Sequence, residues 1–162
     1  MTSEALTGDI LIVDDESGIR KMLAIALRRA GHRVETASRG EEALHILADR
    51  QFDLVLTDLR MPGLSGLELL EAIKHNWPET EVIILTAHGS IESAIDAVRA
   101  GAFDYQQKPF SVAEVEVNVL RALEQTALRR ENTSLRKEMA ANTLLGEIIG
   151  VCPQMQSVFN LI

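Results

Sequence analysis

The sequence predicts an α/β fold, a doubly wound five-stranded parallel sheet, with one extended C-terminal helix. Two observations carry this prediction. From residue 9 to about residue 125, strand-length runs near 10–13, 33–37, 53–57, 82–86 and 103–106 alternate with stretches of helical spacing. Such alternation implies βαβ units with right-handed crossovers. In addition, three of the runs (Ile10–Val13, Leu54–Thr57 and Val82–Leu85) are almost wholly apolar, as strands buried on both faces are.

The helical stretches have their own signals. Ile19, Met22, Leu23, Ala26, Leu27 and Ala30 share one helical face, and Gly31 ends it. Ser65-Gly-Leu-Glu68 and Ser111-Val-Ala-Glu114 are capping boxes that open helices. Gly101 marks the end of a helix starting near Ser90. The helix opening at Ser111 meets no stop signal until well past Met139. In its first half, Val115, Val119, Ala122 and Leu123 form a face suited to covering the sheet. In its charged second half, Leu128, Asn132, Leu135 and Met139 recur at spacings of four and three. That is a coiled-coil seam with Leu at d and Asn and Met at a; Glu124 and Glu131 fall at g, Arg129 and Arg136 at e. A parallel homodimer is the expected result. Beyond Asn142 the pattern becomes apolar again and is cut off at Ile162, as the first residues of another domain would be. The expected divisions are therefore 1–125, a linker helix over 126–141, and a domain fragment over 142–162.

Composition bounds the function. A chain of 162 residues, 46% apolar and 25% charged, suits one globular domain with an appendage. Its net charge of −8 argues against non-specific nucleic-acid binding, which needs phosphate-neutralising cations. A single cysteine, Cys152, excludes an internal disulfide and fits a reducing compartment. The N-terminus has no signal pattern and no stretch is long and apolar enough to span a bilayer, so a cytoplasmic protein without a membrane partner is expected. His32, His45 and His75 lack metal-ligand spacing and are expected to be solvent-exposed; Trp77 is expected to be a packing plug.

The chemistry lies at the ends of the runs. Asp14 and Asp15 follow the first, Asp58 the third, Thr86 the fourth and Lys108 the fifth. Parallel strands would gather all five at the C-terminal sheet edge, where open α/β folds bind ligands. Asp14, Asp15 and Asp58 supply the oxygen ligands that Mg²⁺ prefers, and a cation would relieve their mutual repulsion. Asp58 is the candidate phosphoryl acceptor, because an oriented carboxylate attacks a neutralised phosphoryl group. Lys108 and the Thr86 hydroxyl would hold phosphoryl oxygens. Drawing Thr86 inward would carry Ala87, His88 and the next helix with it, and Tyr105 could fill the space that Thr86 leaves.

In this combination, residues 9 to about 125 resemble a response-regulator receiver domain. The matching elements are Val13-Asp14-Asp15-Glu16, Thr57-Asp58-Leu59-Arg60-Met61-Pro62-Gly63, Thr86-Ala87 and Lys108-Pro109-Phe110. The resemblance implies strand order 2-1-3-4-5, phosphotransfer from a sensor histidine kinase to Asp58, and a cis Lys108–Pro109 peptide. It implies direct Mg²⁺ ligation by Asp15, Asp58 and the backbone carbonyl of Arg60, with Asp14 acting mainly through water. It places Arg60 and His88 where the hydrolysis rate is tuned. The stretches Thr86–Ile95 and Gly101–Tyr105 are similar to the NtrC-like, sigma-54 activator family. Ile148–Met155 resembles the opening of that family's AAA+ domain, with Cys152 where serine is common. The chain has no Gly-x-x-x-x-Gly-Lys loop and no helix-turn-helix, so ATP, sigma-54 RNA polymerase and DNA are expected partners of a full-length parent only. The expected protein is thus a regulatory phospho-acceptor and not an enzyme acting on external substrates. The alternative is a Mg²⁺-dependent phosphohydrolase with Asp58 as nucleophile; such enzymes usually carry a second Asp two residues on, and here that residue is Arg60.

Overall fold

The computed structural model describes residues 6–87 and 89–150, with side chains as far as residue 141. Five strands, β1 (Asp9–Val13), β2 (Arg33–Ala37), β3 (Leu54–Asp58), β4 (Glu81–Thr86) and β5 (Asp104–Gln107), form one sheet in the order β2-β1-β3-β4-β5. Every adjacent pair is parallel. This is the order expected of the receiver fold, and the five runs match the five strands to within a residue or two.

Strand alternation sends successive side chains to opposite faces. Leu11, Val13, Val55, Val82 and Ile84 point to one face. There they pack under α2 (Gly40–Asp49), α3 (Gly66–Asn76) and α4 (Ile91–Arg99), against residues such as Leu47, Leu70 and Ala97. Ile10, Ile12, Leu54, Leu56, Ile83 and Leu85 point to the other. They meet α1 (Ser17–Arg29) and the start of α5 (Val112–Gly150) through Leu23, Leu27, Val115 and Val119. The central strands β3 and β4 are buried throughout, as their apolar runs require, while the edge strands β2 and β5 alternate or stay half-exposed.

Local signals set the helix ends. The capping boxes at Ser65 and Ser111 are both formed. Gly101 follows the α4 C-cap, Ala100, at φ +101°, a conformation natural to glycine. Helix α4 has a second capping box, Ser90 with Ser93, and Ala97 is its only buried residue among those described.

His32 departs from expectation. It is buried rather than exposed, because its Nδ1 accepts the backbone N–H of Gly8 (3.2 Å) where the α1–β2 turn folds back onto the start of β1. His45 and His75 are exposed, and Trp77 is half-buried against the core.

The chain divides into two units, Met1–Thr126 and Ala127–Ile162. Within the second, Leu128, Leu135 and Met139 are exposed, as is Asn132. Helix α5 runs unbroken past Asn142 to Gly150, so no helix end marks the expected 141/142 division. Cys152 and the residues after it lie outside the described residues. Among the described residues, no helix is long and apolar enough to cross a membrane.

Candidate functional site

The sheet register assembles the site. β1 and β3 pair Val13 with Thr57, so the next residues, Asp14 and Asp58, emerge side by side. Ligand oxygens of Asp14, Asp15 and Asp58 all lie within 4.8 Å of one another; Asp14 and Asp58 are buried and Asp15 is exposed. β4 and β5 pair Thr86 with Gln107, which brings Lys108 to the same edge. There the Lys108 backbone N–H donates to the Thr86 carbonyl (2.7 Å), and the Lys108–Pro109 peptide is cis.

Lys108 is the cation of the site. Its buried Nζ donates to Asp14 Oδ2 (2.9 Å) and stands 3.6 Å from Asp58 Oδ2. Asp14 Oδ1 is held by the backbone N–H of Glu16 (2.9 Å), and its carbonyl by the Arg20 guanidinium (2.7 Å). Asp58 Oδ1 accepts the N–H of Leu59 (2.8 Å), so Oδ2 is the oxygen turned toward the lysine.

One lysine does not balance three carboxylates. Burial pushes the Asp58 carboxyl above its ordinary value; Lys108 opposes that, while Asp14 and Asp15 add to it. Burial alone would lower Lys108, but the hydrogen-bonded Asp14 carboxylate, helped by Asp58 and Glu16, reverses this and raises it. The lysine therefore stays charged, and the three carboxylates outnumber it at the site. A hard divalent cation held by all-oxygen donors answers that excess, so these residues fit Mg²⁺.

Other parts position this centre. Thr86 is fully buried at the end of β4, on the same sheet face as Tyr105 of β5 by strand alternation. The Tyr105 hydroxyl meets Ser93 Oγ at 2.9 Å. Ala87 is exposed and, with Lys108, Pro109, Phe110, Ile19 and Met22, lines an open cleft of about 380 Å³ beside the acidic cluster. Arg60 is exposed on the loop after Asp58. His88 lies outside the described residues, and the seam residues Leu128 to Met139 belong to the second unit.

Three further contributors were given no role from the sequence. The N–H of Gly66 donates to the Leu59 carbonyl (2.8 Å), and a Cβ there would overlap the Asp58 carbonyl, so only glycine lets α3 start against the acceptor backbone. Glu16 supplies the N–H that orients Asp14. Ser93 holds the Tyr105 hydroxyl. The only sequence signal for Gly66 was its place just inside the Ser65 capping box; Glu16 lies in the first matching motif, two residues from Asp14, while the Ser93–Tyr105 contact joins groups whose proximity depends on the fold.

Comparison with known proteins agrees with this geometry. The family model described as the response regulator receiver domain matches residues 10–120. The chain is 40% identical over 155 residues to the DNA-binding transcriptional regulator NtrC of Escherichia coli, covering 96% of this chain and 32% of NtrC. It is 43% identical over 152 residues to the response regulator protein PilR of Pseudomonas aeruginosa, covering 94% of this chain and 32% of PilR. The chain thus spans about a third of the length of these relatives. Among solved structures, NtrX from Brucella abortus superposes with a TM-score of 0.76 at 42% identity, over 81% of this chain and 30% of that one. A receiver domain protein from Clostridium thermocellum gives a TM-score of 0.70 at 38% identity, over 74% of this chain and 97% of that one.

Proposed function

Because the chain belongs to the response regulator receiver domain family, we propose that it is the phospho-acceptor of a two-component system, with Asp58 taking the phosphoryl group from a sensor histidine kinase. The observation that carries this is Asp58 Oδ2, facing the buried ammonium of Lys108 at 3.6 Å between two further carboxylates. In the transfer, Asp58 Oδ2 attacks phosphorus in line. The O–P bond forms as the N–P bond of phosphohistidine breaks, and the electron pair leaves on the imidazole nitrogen. Lys108 would hold a phosphoryl oxygen, and the Thr86 hydroxyl would donate to another. Asp15, Asp58 and the Arg60 carbonyl would hold Mg²⁺ directly, and Asp14 through water. When bound, the ion supplies charge neutralisation for the entering group.

Arg60 and His88, two residues beyond the acceptor and the threonine, tune the phosphoryl lifetime. Thr86, Ala87 and Tyr105 carry the switch. In the remaining assignments, residues 1–125 are the receiver, 126–141 a linker that dimerises through Leu128, Asn132, Leu135 and Met139, and 142–162 the start of an AAA+ domain. The whole regulator would then activate transcription with sigma-54 RNA polymerase, ATP and DNA. The similarity to NtrC, a DNA-binding transcriptional regulator by name, supports this, as does the structure of NtrX in complex with ATP. The phosphohydrolase alternative is disfavoured, because the acid two residues beyond the nucleophile is replaced by the exposed Arg60.

Intact mass after incubation with acetyl phosphate and Mg²⁺ tests the proposal. One phosphoryl group on the parent and none on Asp58→Asn is expected; equal labelling of both proteins would overturn Asp58 as acceptor.

A further inference from the structure

Helix α4 is weakly anchored: among its described residues only Ala97 is buried, and its apolar residues Ile91, Ile95 and Val98 are exposed. Such an element depends on its N-terminal cap more than a well-buried helix does. That cap is unusual in being joined to another strand. Ser93 Oγ accepts the Ser90 N–H (2.9 Å) and donates to the Ser90 carbonyl (3.0 Å). Ser90 Oγ in turn accepts the Ser93 N–H (3.0 Å) and donates to Ser93 Oγ (3.1 Å). A serine hydroxyl has one proton and two lone pairs. Ser93 Oγ thus donates once and accepts from both the N–H and the hydroxyl of Ser90, and the Tyr105 hydroxyl, 2.9 Å away, shares this fully engaged oxygen, with either hydroxyl able to donate. Gly89, just before the cap, leaves room for this, since a Cβ there would come within 2.5 Å of the tyrosine oxygen.

We propose that Ser93 is a positioning residue, a latch that holds Tyr105 against the α4 cap in the unphosphorylated chain and opposes phosphorylation until it is released. The proposal rests on Asp58 being the phospho-acceptor. A tyrosine that turns toward Thr86 must give up its contact with Ser93 Oγ. The α4 cap and the tyrosine position are therefore linked through one oxygen atom. Removing a neutral hydrogen bond of this kind shifts a two-state equilibrium by about fivefold.

Tyr105 is the only tyrosine of the chain, so ¹³Cζ-tyrosine labelling gives one resonance that reports its hydroxyl. That resonance is expected to shift in Ser93→Ala and to return toward the parent position in Ser93→Thr, which keeps a hydroxyl. The same Ser93→Ala chain should reach half-phosphorylation at an acetyl phosphate concentration about fivefold lower than the parent, with Ser93→Thr restoring the parent value. Gly89→Ala, which displaces the tyrosine sterically, should shift both readouts in the same direction as Ser93→Ala. An unmoved resonance in Ser93→Ala would overturn the latch. So would equal phosphorylation of parent and variant at every donor concentration. A parent that takes no phosphoryl group would instead overturn the acceptor assignment, and with it the regulatory role of the latch.

Discussion

Asp58 should destabilise the fold that it serves. At an effective dielectric of about 20, a carboxylate oxygen no more than 4.8 Å away repels it by at least about 3–4 kcal/mol. Lys108 at 3.6 Å attracts it by about 5 kcal/mol. Asp15 is exposed, so its share is screened, whereas Asp14 is buried and acts in full. With desolvation added, ionised Asp58 costs the folded state about 1–2 kcal/mol. Asn retains the shape and the oxygen that accepts the Leu59 N–H, and Lys108 keeps its bond to Asp14. Asp58→Asn should therefore raise stability by about 1–2 kcal/mol at pH 7 in chelator, about 2–8 °C in Tm. The sign with pH follows from the raised pKa of Asp58. Above that value the carboxylate is ionised in both states and the penalty is complete; below the ordinary value of 3.8 it is protonated in both and the penalty is gone. The advantage of the variant should thus fade as pH falls through that window. Saturating Mg²⁺ should narrow it at pH 7, because the ion stabilises the parent more. Urea denaturation at several pH values measures all of this. An Asp58→Asn protein no more stable than the parent at pH 7 without metal would refute the charge argument.

Three further outcomes follow from other contacts. Burial lowers the His32 pKa from 6.5, with Glu116 opposing, so the neutral imidazole that accepts the Gly8 N–H contributes stability above pH 6.5 that is lost on acidification. His32→Ala should cost about 1–2 kcal/mol at pH 7 and flatten the fall in stability toward pH 5, read by urea denaturation. Gly66→Ala places a methyl against the Asp58 carbonyl and should cost about 2–4 kcal/mol in chemical denaturation while slowing phosphorylation by acetyl phosphate. Leu128→Asp or Leu135→Asp, at exposed seam positions, should convert a dimer to monomers in light scattering, and an unchanged mass would remove the seam.

How much the sequence revealed depended on the range of the signal. Strands buried on both faces wrote themselves as apolar runs, and capping boxes are local, so Ser65 and Ser111 were legible. The acidic cluster was legible too, because adjacent parallel strands in register bring their ends together. His32 was misjudged because its partner, Gly8, is 24 residues away and no periodicity points to the turn that joins them. Gly66 reads as an ordinary helix-start glycine until the Asp58 carbonyl is seen beside it. Ser93 was hidden because its box pairs serine with serine rather than with Glu or Gln, and because its third partner, Tyr105, comes from another strand. Lys108 stands closer to Asp14 (2.9 Å) than to Asp58 (3.6 Å), so the lysine bridges the acidic pair rather than belonging to the acceptor alone.

The most direct test of the central claim is to trap the acyl phosphate. Borohydride reduces a phosphorylated aspartate to homoserine, which peptide mass spectrometry locates. After exposure to acetyl phosphate and Mg²⁺, homoserine should appear at position 58 alone, and only with the donor present. Reduction at Asp14 or Asp15 instead, or at no residue of a chain shown to be folded and to bind Mg²⁺, would contradict the assignment of Asp58.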